Sequence, residues 1–254
     1  MSLPLNRQTV LVTGSGRGLG AAIAAAFARE GANVVINYRK SRQQAEDLAS
    51  QFEERAVALG ADVRDADAVG ELLASAEARF GPVTTIVHNA LADFSFNGDA
   101  RSKLEDLTWE EIAAHMETGV KGALNLIRAG APSMRENGFG RFVLIGTNLF
   151  QNPVVPYHDY TAAKAALLSL TRTAATELGP SGITVNMVSG GLLRTTDASS
   201  ATPDAVFDLI AASTPLRRVT TPEEMADAVL FFASPWARAV TGQNLIVDGG
   251  LVFG

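Results

Sequence analysis

The chain has 254 residues, of which 47% are hydrophobic and 19% charged, and its net charge is −6. That length and apolar content suit an α/β protein with a large core and exclude a disordered chain. The acidic balance argues against a nucleic-acid partner, and the lack of cysteine excludes disulfides, thiolate catalysis and cysteine metal sites.

Three histidines, His88, His115 and His158, are scattered, so no His-rich metal site is expected. The first seven residues show no basic region followed by an apolar run, so no secretory signal is expected. No stretch reaches the roughly 18 uncharged apolar residues that span a bilayer. A cytoplasmic location without a membrane partner is the expectation.

Along the chain, short runs rich in β-branched residues alternate with helical patterns. The first run, near 8–13, passes into Thr13-Gly14-Ser15-Gly16-Arg17-Gly18-Leu19-Gly20 and then a helix near 18–30. A strand, a glycine turn and a helix start form a phosphate cradle, because backbone N–H groups point outward unpaired and the helix dipole adds positive charge. The spacing is G-x-x-x-G-x-G; Leu19 occupies the third glycine position of the commoner G-x-G-x-x-G. A tight turn without ligand is the plain alternative.

The second strand, near 33–37, ends in Asn37-Tyr38-Arg39-Lys40 with no carboxylate. An NAD-preferring fold usually carries Asp or Glu there to grip the ribose 2′-OH. Arg39, Lys40 and Arg17 suit a 2′-phosphate instead, since guanidinium binds phosphate bidentately. NADP(H) is therefore expected in preference to NAD(H); a solvated turn is the other reading of Arg39 and Lys40. A helix near 41–52 and a weak strand near 55–60 follow. Asp62 could accept from the adenine amino group with Val63 packed on the ring, or the pair could be a strand-end turn.

A helix near 65–80 and a strand near 83–88 lead to Asn89-Ala90, whose amide could hold the chain against the cofactor. The stretch 91–107 fits no regular pattern. A capping box at Thr108 and Glu111 opens a helix over 108–136. The strand near 141–146 ends at Thr147. A helix near 158–179 begins with Tyr160-Thr161-Ala162-Ala163-Lys164, which puts a phenol and an ammonium on one face. A nearby cation stabilises a phenolate and should lower its pKa from about 10. Such a pair also occurs by chance on helices, and its weight comes from the glycine loop and the Thr147 hydroxyl at a strand end. A strand near 183–188, an irregular Ser/Thr-rich stretch over 190–215, a helix near 222–234 capped by Thr221 and Glu224, and a strand near 243–248 complete the chain. Both irregular stretches follow strand carboxyl ends, where ligands bind in open α/β sheets, and read as lids. The alternation predicts an α/β parallel sheet of about seven strands, doubly wound with helices on both faces.

Taken together, Thr13-Gly-x-x-x-Gly18-x-Gly20, Asn89-Ala90, Tyr160/Lys164, Val185-Asn186 and Asp248-Gly249-Gly250 resemble the short-chain dehydrogenase/reductase family over essentially the whole chain. The closest likeness is to 3-oxoacyl-acyl-carrier-protein reductases. The resemblance implies one Rossmann-type NAD(P)-binding domain over 1–254 with a substrate lid around 190–215. It implies an NADPH-dependent oxidoreductase that reduces a carbonyl, a 3-oxoacyl thioester or similar ketone, and a homotetramer. Tyr160 would protonate the carbonyl oxygen, Lys164 would hold the nicotinamide ribose and tune Tyr160, and Thr147 would stand in for the family's substrate-orienting serine. Cofactor contacts would come from Gly14, Ser15, Arg17, Gly18, Leu19 and Gly20 in the loop. Further contacts would come from Tyr38, Arg39, Asp62, Val63, Asn89 and Ala90, and from Gly191 and Thr195 beyond the sixth strand.

Three positions depart from the family pattern. The family's asparagine in the fourth long helix falls on Gly119; Asn-Asn-Ala-Gly reads His88-Asn89-Ala90-Leu91; and Pro-Gly reads Gly190-Gly191. Two further functions stay open: an enoyl reductase using Tyr157, seven positions before Lys164, and a nucleotide-binding scaffold with little turnover. Phe94, Phe96, Leu192, Leu193 and Phe207 could line an apolar substrate pocket or pack the lids. Arg128, Arg135 and Arg141 could dock an acidic acyl-carrier protein.

Overall fold

A computed structural model describes residues 2–94, 96, 97, 101–194 and 196–253. Seven parallel strands form one sheet in the order β3-β2-β1-β4-β5-β6-β7. They are β1 (Thr9–Val12), β2 (Asn33–Tyr38), β3 (Ala56–Gly60), β4 (Thr85–His88), β5 (Gly140–Thr147), β6 (Ile183–Gly190) and β7 (Asn244–Val247). Eight α-helices accompany them among the described residues: α1 (Gly18–Arg29), α2 (Arg42–Ser50), α3 (Ala66–Phe80), α4 (Trp109–Met116), α5 (Gly122–Asn137), α6 (His158–Leu178), α7 (Asp204–Ser213) and α8 (Pro222–Ala233).

Period-two alternation sends neighbouring strand residues to opposite faces. Val10, Val12, Val34, Ile36, Val143 and Ile145 pack with Ile23, Phe27 and Val229 of α1 and α8. Leu11, Val35, Ile86, Phe142 and Leu144 pack with Leu72, Leu126 and Leu167 of α3, α5 and α6. Both faces are covered, which is why the strands read as unbroken apolar runs rather than alternating ones. The order reverses at β1, with β2 on one side and β4 on the other. Such a switch point leaves a crevice above the strand carboxyl ends.

Local chemistry sets the helix ends. Thr108 and Thr221 each accept from the N–H three residues on, and Glu111 and Glu224 return the bond. Gly138 ends α5 with φ +60°, a left-handed conformation that costs glycine nothing.

Two expectations need correction. The helix expected over 108–136 is not continuous: Glu117–Lys121 forms a π-helical segment between α4 and α5, with Gly119 at its centre. The inserted residue widens the turn, a feature that recurs at functional sites. The stretch 190–215 is also not irregular throughout, since it contains a 3-10 turn over Asp197–Ser199 and then α7. Among the described residues, no helix is long and apolar enough to cross a membrane.

Candidate active site

A cleft of about 920 Å³ runs across the carboxyl ends of the strands. One end is walled by Gly14, Arg17, Gly18, Leu19, Gly20, Arg39 and Asn89, and the other by Tyr160, Lys164, Phe94, Phe96, Gly191 and Leu193. The glycine loop and the Tyr/Lys pair, more than a hundred residues apart in sequence, thus share one crevice.

The loop is tied from behind. Asn89 Nδ2 donates to the carbonyls of Thr13 and Gly14 at 3.1 Å each. The N–H groups of Asn89 and Ala90 donate to Thr13 Oγ1 at 3.0 and 3.1 Å. A Cβ on Gly20 would fall 2.5 Å from both Asn89 Nδ2 and the Gly14 carbonyl, so only glycine fits. Gly18 has φ +57° and meets open space on the cleft side apart from Thr196. No side chain caps α1, which leaves its first N–H groups free for an anion. These features fit the pyrophosphate of a dinucleotide.

The adenosine end carries Arg17, Arg39 and Lys40, each beside an acid. Arg17 pairs with Asp197 at 3.0 Å and Lys40 with Asp93 at 2.8 Å. Arg39 lies 3.6 Å from Asp93 and 4.0 Å from Asp62. Asp62 is engaged chiefly by Arg64, whose Nε and Nη2 grip the carboxylate and hold it below the usual carboxylate range.

Several expected cofactor contacts sit elsewhere. Ser15 is fully buried; its hydroxyl donates to the Val12 carbonyl at 2.7 Å, so it shapes the turn from inside. The Tyr38 ring is buried against Gly60 and under Arg42. Val63 is buried against Gly122 beneath the π segment. Ala90 backs Gly14 rather than facing the cleft. Thr195 lies outside the described residues.

At the chemical end, Tyr160 and Lys164 are each only 6% exposed. Thr147, the last residue of β5, lies beside the Tyr160 hydroxyl and pulls its pKa down. Lys164 Nζ donates to the Ile145 carbonyl at 2.6 Å and lies 5.7 Å from the Tyr160 ring centroid. The expected lowering of the phenol by this amine is not what the geometry produces. Burial dominates and pushes Tyr160 up to about 12, against the smaller downward pull of Thr147. Burial likewise pushes Lys164 down to about 8. Desolvation penalises whichever form is charged, so the phenol keeps its proton and can act as an acid. Tyr157 packs edge-on against Phe94 and is not part of the cleft lining, whereas Tyr160 is.

Behind the site, His88 Nε2 meets the Gly119 carbonyl at 2.9 Å, and its Nδ1 lies 3.2 Å from Thr13 Oγ1. A carbonyl can only accept, so Nε2 carries the hydrogen and Thr13 donates to Nδ1. Burial, reinforced by the Lys164 charge, pushes His88 down to about 4 and keeps it neutral.

Three residues around Tyr160 carried no signal in the sequence. Asp159 bonds the Tyr160 N–H at 2.8 Å, takes an ion pair from Arg101 and lies 3.4 Å from His115 Nε2. Among the apolar residues expected at the pocket, Phe94, Phe96 and Leu193 line the cleft. Leu192 and Phe207 do not; Phe207 is buried beneath Arg194. Arg141, expected to help dock a carrier protein, is buried with its guanidinium on the carbonyls of Gly140 and Gly182.

Comparison with known proteins agrees with this geometry. A family model described as enoyl-(acyl carrier protein) reductase, of the short-chain alcohol dehydrogenase type, matches residues 14–252. A 3-oxoacyl-acyl-carrier-protein reductase of Staphylococcus epidermidis is 32% identical over 247 residues, covering 96% of this chain and 98% of the relative. Versicolorin reductase 1 of Aspergillus parasiticus is 34% identical, with 97% of each chain covered. Among solved structures, a short-chain dehydrogenase/reductase (glucose/ribitol dehydrogenase) from Brucella melitensis superposes with a TM-score of 0.89 at 27% identity, covering both chains fully. A blue fluorescent protein from a metagenomic library, solved with NADPH, superposes at 0.87 with 33% identity, over 99% of this chain and all of that one. The chain therefore belongs to the short-chain dehydrogenase/reductase family of NAD(P)-dependent oxidoreductases.

Proposed function

We propose that this protein is an NADPH-dependent carbonyl reductase that turns a ketone, or the 3-oxo group of an acyl thioester, into an alcohol. The observation that carries the reading is the buried Tyr160 side chain, which shares with Lys164 the cleft that also holds the glycine loop, with Thr147 at the end of β5 beside it. Bound nicotinamide would supply a hydride to the carbonyl carbon. Tyr160 gives its proton to the carbonyl oxygen, and Thr147 orients that oxygen. Lys164, fixed on the Ile145 carbonyl, is the cation beside the phenolate that forms.

Arg17, Arg39 and Lys40 would hold a 2′-phosphate, which supports NADP(H) over NAD(H). The relative solved with NADPH is consistent with that preference. Thr196, Asp197 and Ala198 reach the cleft wall and Asp197 pairs with Arg17, which supports a lid over 190–215 within one domain over 1–254. A homotetramer, as the family resemblance implies, would pack further copies of the chain against an exposed face such as the groove between α5 and α6, lined by Leu124, Ile127 and Leu170 together with Arg128, Arg135 and Glu177. With Arg141 buried, Arg128 and Arg135 alone remain for an acyl-carrier protein, and a small ketone or free thioester is the better-supported substrate. The test is NADPH oxidation with equimolar alcohol formation from a ketone, and none with a 2-enoyl thioester.

A further inference from the structure

The ring of Phe94 is enclosed by aromatic and cationic groups. It stacks on Tyr160 with centroids 4.8 Å apart and planes inclined by 19°. Phe96, His115 and Tyr157 stand nearly perpendicular to it, at 5.0, 5.3 and 5.2 Å. The Arg101 guanidinium lies 4.7 Å from its centroid. These are the arrangements that aromatic quadrupoles prefer.

The box and its occupant differ in how they are held. Tyr160 belongs to α6, with Tyr157 at its N-cap, and His115 belongs to α4. Arg101 is tied to Asp159, a carboxylate only 3% exposed that His115 also faces. Phe96 is fastened at both backbone groups, its N–H to the Ala198 carbonyl and its carbonyl to the Thr202 hydroxyl. Phe94 sits on irregular chain beyond β4, stacked on the same phenol that must meet the substrate carbonyl.

We propose that Phe94 holds the place of the substrate's own aromatic ring, and that this enzyme reduces aryl ketones. The inference rests on the carbonyl-reductase reading and names its substrate class. A planar ring bonded to the carbonyl carbon takes over the stack on Tyr160 and the contact with Arg101 when Phe94 swings aside, and its carbonyl then faces the Tyr160 and Thr147 hydroxyls. A saturated ring or a linear acyl chain gains apolar contact there but neither stacking nor a cation–π contact.

Acetophenone and cyclohexyl methyl ketone, which share a carbonyl and differ in ring planarity, are the probes. Wild type is expected to prefer acetophenone in kcat/KM, although conjugation makes it the less electrophilic ketone. Phe94→Ala should raise kcat/KM for acetophenone about fivefold more than for the saturated ketone, which gains apolar contact alone. Phe94→Leu keeps bulk without an aromatic face and should shift the ratio in the same direction. Arg101→Lys keeps a cation for Asp159 without a planar guanidinium, and should reduce the preference for the aryl ketone. Dissociation constants of both ketones, measured by ligand-observed NMR without turnover, should tighten on Phe94→Ala distinctly more for acetophenone than for the saturated ketone. Reduction of both ketones with no ring preference in any variant overturns the inference and leaves the reductase reading standing. Selective tightening of acetophenone without NADPH oxidation upholds the aromatic site and defeats the reductase reading.

Discussion

His88 Nε2 donates to the backbone carbonyl of Gly119 at 2.9 Å, tying the end of β4 to the π segment between α4 and α5. Gly119 offers no side-chain amide, and the His88 side chain from β4 holds the backbone there. The same imidazole accepts from Thr13, which in turn receives the N–H groups of Asn89 and Ala90. One buried ring therefore braces both the glycine loop and the helix break.

That ring makes the fold acid-labile. His88 titrates near 4 when folded and near 6.5 when unfolded. Between those values the unfolded chain binds more protons, so stability is complete above about 6.5 and is lost as pH falls toward 4. The loss from this group is about 3 kcal/mol at the acid end. Urea unfolding at a series of pH values should show it, and His88→Asn should flatten the pH slope by that amount even if the variant is weaker at pH 7. Equal slopes in the two proteins would contradict the assignment.

Gly119 itself has room to spare. A Cβ there meets nothing within 4 Å, and its φ is not in the left-handed range. Gly119→Ala should stabilise the protein by about 0.5–1 kcal/mol, because glycine in a helix loses more chain entropy. Thermal unfolding measures this directly. Gly119→Asn, which the open space at this position accommodates, should also fold.

How far the sequence reached can be judged at particular residues. The glycine loop, the capping boxes and the Tyr160/Lys164 spacing are local patterns, and each stands where its spacing predicts. The parallel, doubly wound sheet follows from the alternation, whereas its strand order is seen only in the structure. The helix break at Glu117–Lys121 was not legible, because its anchor is His88, 31 residues away along the chain. The buried Asp159–His115–Arg101 cluster joins three separate segments and has no spacing of its own. Arg141 reads as a surface cation in the sequence, yet the carbonyls of Gly140 and Gly182 receive its guanidinium inside the fold. Residue spacing puts a cation near the Tyr160 phenol but carries no information on burial, which here acts on both partners.

The pH dependence of turnover follows from those two groups. Tyr160 is protonated throughout the neutral range, and Lys164 keeps its charge up to about 8. Ketone reduction should be level between about pH 6 and 7 and should fall as Lys164 loses its proton near 8. Alcohol oxidation needs the phenolate and should keep rising well above pH 8. Steady-state rates in both directions check the pair; a reduction rate that climbs through pH 9 would contradict the acid role of Tyr160.

Cofactor choice is tested at Arg39. Arg39→Asp should weaken NADPH by about 2 kcal/mol, roughly thirtyfold, through loss of a charge-assisted bond and gain of repulsion. NADH should change little. Titration calorimetry with each nucleotide measures the difference, and an equal loss for both would remove the phosphate role.

The most direct measurement is NADPH oxidation by Tyr160→Phe in the presence of a ketone that wild type reduces, with NADPH affinity measured on the same sample. Loss of the phenolic proton should lower kcat by on the order of a thousandfold while NADPH affinity stays within a factor of about two. Turnover near the wild-type rate in that variant would contradict the assignment of Tyr160 as the proton donor.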